Sequence, residues 1–454
     1  MTEDELQEAI VAESLGDPIP SPKVNGRTYF PIASVPKSTP VMEADPNWMS
    51  RLILNSQNHK PKALLANAII ALQCAPEWAS ALGWDEFSAK ITVQKPLPWP
   101  VPVNSTWSDQ CDRKCTVWLQ HHGIYVPTRI AGEAAQTVAM DNSYHPCRDY
   151  LRALKWDGIK RVDSWLQTYI GVECVTEPNE PNDGSAKRSY VSGVGRRFLI
   201  SAVARIFRPG TKVDTVLVLE SPKQGTYKSM ACETLFNPWF CDHLPDLSSK
   251  DAYLQLSGVW CVELAELDAI SRADSSRVKS FLSSPSDRYR LPYGHRAIDV
   301  PRSSVFMGTV NHDEWQRDET GGRRWWPVRC GWIDIDGLRF NRDQLWAEAL
   351  ALYDAKEQWW VDNDELTKLT ENEQFARYDG DVWDSMIAEW TRSRDDISVS
   401  EVLGDCIKKS PELWSQHDKN RVARSLRARN QWERYQKRID SGNGREWRYK
   451  RKLE

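Results

Sequence analysis

The sequence predicts an α/β fold: a mainly parallel sheet in the middle of the chain, a helical region before it and a small helix-rich unit after it. Three observations carry this. Between about residues 190 and 335, apolar runs of strand length (VDTVLVLE, GVWCVEL, SSVFMGTVN) alternate with helical segments such as SMACETLF. That alternation builds parallel sheets with helical crossovers. The first run leads directly into ESPKQGTYKS, a strand–loop–helix junction at the edge where such sheets bind ligands. Finally, the net charge of -4 hides an asymmetry: residues 417–454 hold 13 Lys and Arg against 5 Asp and Glu. A basic end on an acidic body marks a separate anion-binding unit, or else a solvated basic helix.

Composition bounds the class. The chain has 454 residues, 41% hydrophobic and 27% charged, and is long enough for about two to four domains with their own cores. Its 22 Trp demand large apolar pockets or stacking surfaces. No run of about 18 apolar residues is present, and the acidic start MTEDELQEAIVAES lacks the pattern of a signal peptide, so a cytosolic chain without a membrane partner is expected. Ten scattered Cys fit reduced thiols.

Taken in order, residues 1–45 alternate acidic and Pro-rich stretches and read as a flexible arm. Residues 46–189 read as helical: LLANAIIALQ is followed by a break at PLPWPVP, then by a second helical block from about 105 to 172. The polar stretch VECVTEPNEPNDGSAKRS, about 172–189, reads as an exposed loop. The α/β domain follows over 190–335, then a helical extension over 336–380 containing QLWAEALALYDAKEQWW, then a basic unit over 381–454.

A phosphate-binding loop needs a delivering strand, inward N–H groups, a Lys and a hydroxyl at a helix start. Gln224, Gly225, Thr226, Tyr227, Lys228 and Ser229 supply this set after the Val216–Leu219 strand. Against G-x-x-x-x-G-K-[ST], however, Pro222 and Tyr227 stand where glycines are usual, so an ordinary strand-to-helix turn fits as well. Downstream, GVWCVELAELDAI carries Glu263 and Glu266 beyond an apolar strand, where a phosphate-loop ATPase keeps the acids that hold Mg²⁺ and polarise water. Two solvated glutamates are the plainer alternative. A third strand ends at Asn311.

Between the second and third strands, SDRYRLPYGHRAIDVPRS reads as a hairpin with Tyr293, His295 and Arg296 at its tip, flanked by Arg288, Arg290 and Arg302. Cations beside an aromatic ring suit a nucleic-acid backbone and a stacked base, though an exposed hairpin without a ligand looks the same. In DETGGRRWWPV, Arg323 and Arg324 are placed to stabilise charge on a phosphoryl group, or to pack on Trp in a core wall.

Together, VLVLESPKQGTYKS, WCVELAELDAI, VKSFLSSPSDRYRLPYGHRAIDVPRSSVFMGTVN and RDETGGRRWWPV strongly resemble the virulence-associated E family, phage and mobile-element proteins with a superfamily-three helicase core. The resemblance extends from YHPCRDYLRALKWDGIKRVDSWLQTYIG at 144–171 to QLWAEALALYDAKEQWW at 344–360. It implies a P-loop, AAA+-like ATPase, hexameric, moving along DNA in replication of a phage or mobile element inside a bacterial cytoplasm. It further implies that Lys228 and Ser229 bind ATP phosphate and Mg²⁺, that Glu263 and Glu266 form the acidic pair, and that Asn311 senses the γ-phosphate. Ser229 and Glu263 are the Mg²⁺ candidates, while the division of metal binding and water activation between the two Glu stays open. Arg323 or Arg324 acts on a neighbour's nucleotide, and the 293–296 hairpin faces single-stranded DNA in a central pore. Many relatives carry a primase ahead of the helicase; the segment preceding this core is too short for one, so a separate primase is an expected partner.

At the other end, HDKNRVARSLRARNQWERYQKR and GNGREWRYKR fit a basic helix and a ribbon. Arg421, Arg424 and Arg427 recur every three residues on one face, and family members with winged-helix ends are similar, which implies contact with duplex DNA. A basic helix packed on acidic parts of the chain is the rival. Cys111, Cys115, His121, His122, His145 and Cys147 do not match a common zinc spacing, and incidental thiols are expected. The expected activity is thus that of an ATP-dependent DNA helicase or translocase. The alternative is a DNA-binding initiator or regulator with an impaired nucleotide site, favoured by Pro222 and Tyr227; nuclease chemistry has no clustered carboxylate and His signature behind it.

Overall fold

Apolar segments separate into distinct cores along the chain. A computed structural model describes residues 23–24, 27–28, 44–174, 184–243, 254–265, 272–290, 297–312, 315, 324–377, 382–428, 431–438 and 445–452. The first core gathers Leu72, Trp118, Leu119 and Val138 from helices α1 (Leu65–Cys74), α2 (Asp109–His121) and α3 (Thr128–Asp141), with Trp48 and Trp78 from the turns on either side of α1. Trp78 meets Trp118 and Trp99 edge to face at 5.4 and 5.6 Å, so part of the tryptophan load is spent on ring packing.

This region is not wholly helical, contrary to the sequence reading. Strands β1 (Leu82–Asp85) and β2 (Lys90–Val93) form an antiparallel hairpin, and β3 (Ser143–Tyr144) pairs parallel to β1. The cause is local. Asp85 Oδ1 accepts the N–H groups of Phe87 and Ser88 at 2.8 and 3.1 Å, fixing a turn before the β-branched run Ile91–Val93.

Next come α4 (Pro146–Ala153) and α5 (Ser185–Phe207). The expected 172–189 loop is shorter than read, because α5 takes in its last residues; residues 175–183 lie outside those described. Strands β4 (Val216–Glu220), β5 (Phe240–Cys241), β6 (Cys261–Leu264), β9 (Val305–Val310) and β10 (Trp325–Arg329) form one sheet in the order β10-β4-β9-β6-β5. Every neighbouring pair in it is parallel. Strands β4, β6 and β9, inside the sheet, are buried along their whole length, as the interior of a parallel sheet covered on both faces requires, while the edge strand β5 is half-buried. Leu217, Leu219, Trp326 and Val328 enter the larger core with Phe198, Phe236, Trp260 and Trp346. Val216, Val218 and Trp325 enter the opposite one with Val262, Phe281 and Phe306. Helices α6 (Lys228–Phe236), α7 (Arg272–Ser283), α8 (Ile335–Asp354) and α9 (Asp364–Ala376) complete this part.

The segment before α5 is tied to the central core. Buried Glu348 of α8 accepts the N–H groups of Arg161 and Val162 at 2.6 and 2.9 Å. Gly171 and Gly331 face one another, and a Cβ on Gly331 would sit 2.3 Å from the Gly171 carbonyl oxygen. Only bare backbone allows that approach.

Strands β7 (Ser286–Arg290) and β8 (Ala297–Pro301) pair antiparallel, forming the expected hairpin. Its tip, with Tyr293, His295 and Arg296, lies outside the described residues, as does the Arg290 side chain. Arg302 does not flank it as a free cation. Its guanidinium is buried against the Asp287 carboxylate and the Phe281 carbonyl, 4.3 Å from the Phe281 ring. The root of the hairpin is therefore anchored to the end of α7.

The last unit holds α10 (Val382–Thr391), β11 (Asp396–Ser398), a turn of helix opened by a Ser398/Glu401 capping box, α11 (Gln416–Ala428), β12 (Trp432–Arg438) and β13 (Arg445–Arg451). The strands form an antiparallel sheet in the order β11-β13-β12 around Ile387, Leu403, Val422, Leu426 and Tyr449. Among the described residues, no helix is long and apolar enough to cross a membrane.

Candidate phosphate-binding site

Strand β4 lies between β10 and β9, so the loop that leaves it, residues 221–227, emerges in the middle of the sheet's carboxyl edge. The loop is tied down at its start, where the Ser221 N–H donates to the Val310 carbonyl of β9 at 3.2 Å. It then turns through two left-handed residues. Gly225 has φ +75°, and a Cβ there would meet nothing within 4 Å. Tyr227, the residue before α6, has φ 62° and ψ 21°. The conformation that glycine usually supplies is thus held by a tyrosine, whose side chain is exposed.

Two polar links join the start of α6 to the neighbouring strands. Lys228, largely buried, donates through Nζ to Asn311 Oδ1 at 3.0 Å and to Thr226 Oγ1 at 3.1 Å. The Ser229 hydroxyl donates to Glu263 Oε1 at 2.6 Å, and the Thr309 hydroxyl donates to the same oxygen at 2.7 Å. Glu263 is 1% exposed. The sheet register explains the convergence: Met307 of β9 faces Glu263 of β6, and Thr309 faces Leu219 of β4, so three strand ends deliver their side chains together. Burial holds the Lys228 ammonium below the usual lysine range, with Cys330 and Glu263 opposing the shift.

Lys228, Ser229, Glu263 and Asn311, chosen from sequence, are therefore brought into one cluster, with Thr226 on Lys228. Gln224 and Gly225 line the exposed outer turn of the loop. Arg324 lies at the other end of the sheet: it precedes β10, donates to Ser283 Oγ at 3.0 and 3.1 Å, and approaches Asp214 at 3.9 Å. It does not reach the loop of its own chain. Glu266 and Arg323 lie outside the described residues. Arg288 is exposed on the hairpin, 3.9 Å from Asp299. Arg421 packs its guanidinium 3.6 Å from the Trp383 ring of α10; the side chains of Arg424 and Arg427 lie outside those described.

The Cys and His residues before the α/β region hold no metal-like cluster among the described residues. Burial pushes the Cys115 thiol far up, His122 Nδ1 lies 2.8 Å from the Trp118 carbonyl, and His145 Nδ1 caps α4 by accepting from Arg148 N–H at 3.1 Å.

Sequence reasoning missed Thr309 and a second network behind the loop. Thr309 was detectable, since it is the one hydroxyl in the strand VFMGTV and lies two residues before Asn311, on the same side of the pleat. The network is Glu220, whose buried carboxylate accepts from Trp315 Nε1 at 2.6 Å and from Arg377 Nε at 2.9 and 3.1 Å. No spacing announces it, because Arg377 is 157 residues away.

No curated protein matches the chain. Among solved structures, an A-form apo structure of the NrS-1 C-terminal region is similar at 11% identity over 81% of this chain and 95% of that one, with a TM-score of 0.40. Another apo structure of that region aligns at 12% identity, 81% and 95% coverage and a TM-score of 0.35. The family model of the virulence-associated protein E-like domain matches residues 151–378, from the end of α4 to just beyond Arg377. That span takes in the whole parallel sheet, the loop and α6 through α9, and the chain belongs to the virulence-associated protein E-like domain family.

Proposed function

We propose that the protein is an ATP-hydrolysing DNA motor of the P-loop, AAA+-like superfamily-three type, acting as a helicase or translocase in replication of a phage or mobile element. The observation that carries this reading is the convergence of Lys228 and Ser229 with Asn311 and Glu263 at the carboxyl edge of a five-stranded parallel sheet. The strand order supports it as well, because the loop-bearing strand lies between the strand ending in Asn311 and the last strand of the domain.

The residues present suit Mg²⁺ and a triphosphate. Ser229 and the buried Glu263 carboxylate offer the hard oxygen donors that Mg²⁺ prefers, and the first N–H groups of α6 with Lys228 suit phosphate oxygens. Mg²⁺, when bound, supplies charge neutralisation on the phosphate oxygens. Lys228 adds a fixed cation beside the loop, and Asn311 presents its side-chain amide next to that cation. Glu263 keeps Ser229 oriented, and Thr309 keeps Glu263 oriented. Glu266 stands as the candidate for polarising water. Arg324, facing away from its own loop, suits the nucleotide of a neighbouring subunit, which is what a hexameric ring requires. The hairpin and the final unit, in which α10, β11, the helical turns over 399–406, α11, β12 and β13 follow in the order of a winged helix, are the surfaces proposed for single-stranded and duplex DNA.

DNA-stimulated ATP hydrolysis tests this reading. Turnover in the wild type that is lost in Lys228→Ala and Glu266→Gln supports the motor. Equal, negligible turnover in all three, with DNA binding intact, favours a DNA-binding regulator. Light scattering with ATP and DNA tests the ring, and a monomer under every condition rules out an Arg acting between subunits.

A further inference from the structure

Strand β5 is the outermost strand of the parallel sheet, beside β6, and its last residue starts the sequence Cys241-Asp242-His243. Three potential ligand atoms, one from each residue, lie within 4.8 Å of one another. His243 Nδ1 is the centre of the group, 3.6 Å from Cys241 Sγ and 3.1 Å from Asp242 Oδ1. Cys241 Sγ also donates to the His243 carbonyl oxygen at 3.3 Å.

The spacing suits a tetrahedral ion. With Zn–S of ~2.3 Å and Zn–N and Zn–O of ~2.0 Å, tetrahedral angles put sulfur and nitrogen about 3.5 Å apart, and nitrogen and oxygen about 3.3 Å apart. Both separations are already met within about 0.2 Å. Thiolate, imidazole and carboxylate together favour a borderline-soft ion over Mg²⁺ or Ca²⁺. Asp242 and His243 are exposed, leaving room for water as a fourth ligand.

We propose that Cys241, Asp242 and His243 form a Zn²⁺ site of three protein ligands and one water, closing the end of the edge strand. The site is independent of the nucleotide reading. Binding exchanges the Cys241 thiol proton for the metal and releases that proton to solvent.

Co²⁺ titration of the full chain is the test. The expected result is one equivalent bound with a sulfur-to-cobalt charge-transfer band and visible bands of tetrahedral intensity, all displaced by Zn²⁺. Cys241→Ser removes the charge-transfer band, His243→Ala weakens binding at least about tenfold, and Asp242→Asn weakens it less. Circular dichroism of the variants stays at the wild-type signal, and Lys228→Ala keeps the full cobalt spectrum. Absence of the band at excess Co²⁺, or a band that survives Cys241→Ser, overturns the proposal.

Discussion

Arg377 and the buried Glu220 form an ion pair at the root of the 221–227 loop: one nitrogen, Nε, donates to both carboxylate oxygens at 2.9 and 3.1 Å. Glu220 is the last residue of β4, so this pair connects the root of the loop to the end of α9. Arg377 also contacts Glu373, and Trp315 completes the shell around Glu220. Removing one partner leaves a buried charge alone. Arg377→Met is expected to cost about 3–5 kcal/mol in urea denaturation. In a Glu220→Gln background the same change should cost less than half as much; strictly additive costs would show that the pair is not the origin.

Glu263 is held by two hydroxyls and is buried, so its carboxylate is fixed before any ligand arrives. Glu263→Gln keeps the shape and removes the negative charge. Turnover is expected to fall at least about 100-fold with nucleotide binding retained, as read by steady-state hydrolysis beside a fluorescent-nucleotide titration. Thr309→Ala removes one donor only and is expected to cost about 1 kcal/mol of stability, with turnover affected less than in Glu263→Gln.

Tyr227 carries a left-handed backbone at the start of α6, with its ring exposed. Tyr227→Gly removes a steric cost of about 1 kcal/mol and loses no core packing. Thermal stability is expected to hold or rise. A β-branched residue there tolerates that backbone worst, so Tyr227→Val is expected to lose about 1–2 kcal/mol and to weaken Mg·ATP binding. Calorimetric titration of both variants separates this from a loop whose shape is set elsewhere.

Burial depresses the Lys228 pKa, so its positive charge is lost at a lower pH than that of an ordinary lysine, ~10.4. If Lys228 holds phosphate, Mg·ATP affinity falls as pH rises through this depressed value, below the range where a surface lysine titrates. Affinity measured against pH should show that alkaline limb in the wild type and lack it in Lys228→Ala. Identical profiles would remove Lys228 from the binding interaction.

The parts of the fold and site that were legible in sequence share a cause. Strands β4, β6 and β9 are buried along their length, so each appears as a largely apolar run, and the residues at the ends of such runs lie at the sheet's carboxyl edge; the two outer strands, β5 and β10, were not read as strands. That logic found Lys228, Ser229, Glu263 and Asn311. It failed where the deciding partner is remote or the surroundings reverse a residue's usual habit. Glu220 closes an apolar run with nothing near it in sequence to mark Arg377, just beyond α9, as its partner, and Arg302 was read as a cation flanking the hairpin although Asp287 and Phe281 enclose it. The Leu82–Val93 hairpin was hidden for a third reason: its turn depends on the Asp85 side chain, which periodicity does not register.

On the proposed reading, the contact between Lys228 and Asn311 makes nucleotide capture a swap of partners. A phosphate that takes the ammonium must draw it from the amide, and the net affinity is the difference between two competing attachments. Once released, the amide is free to turn toward whatever displaced it. The tip of one strand thereby registers an arrival at the loop of the strand next to it.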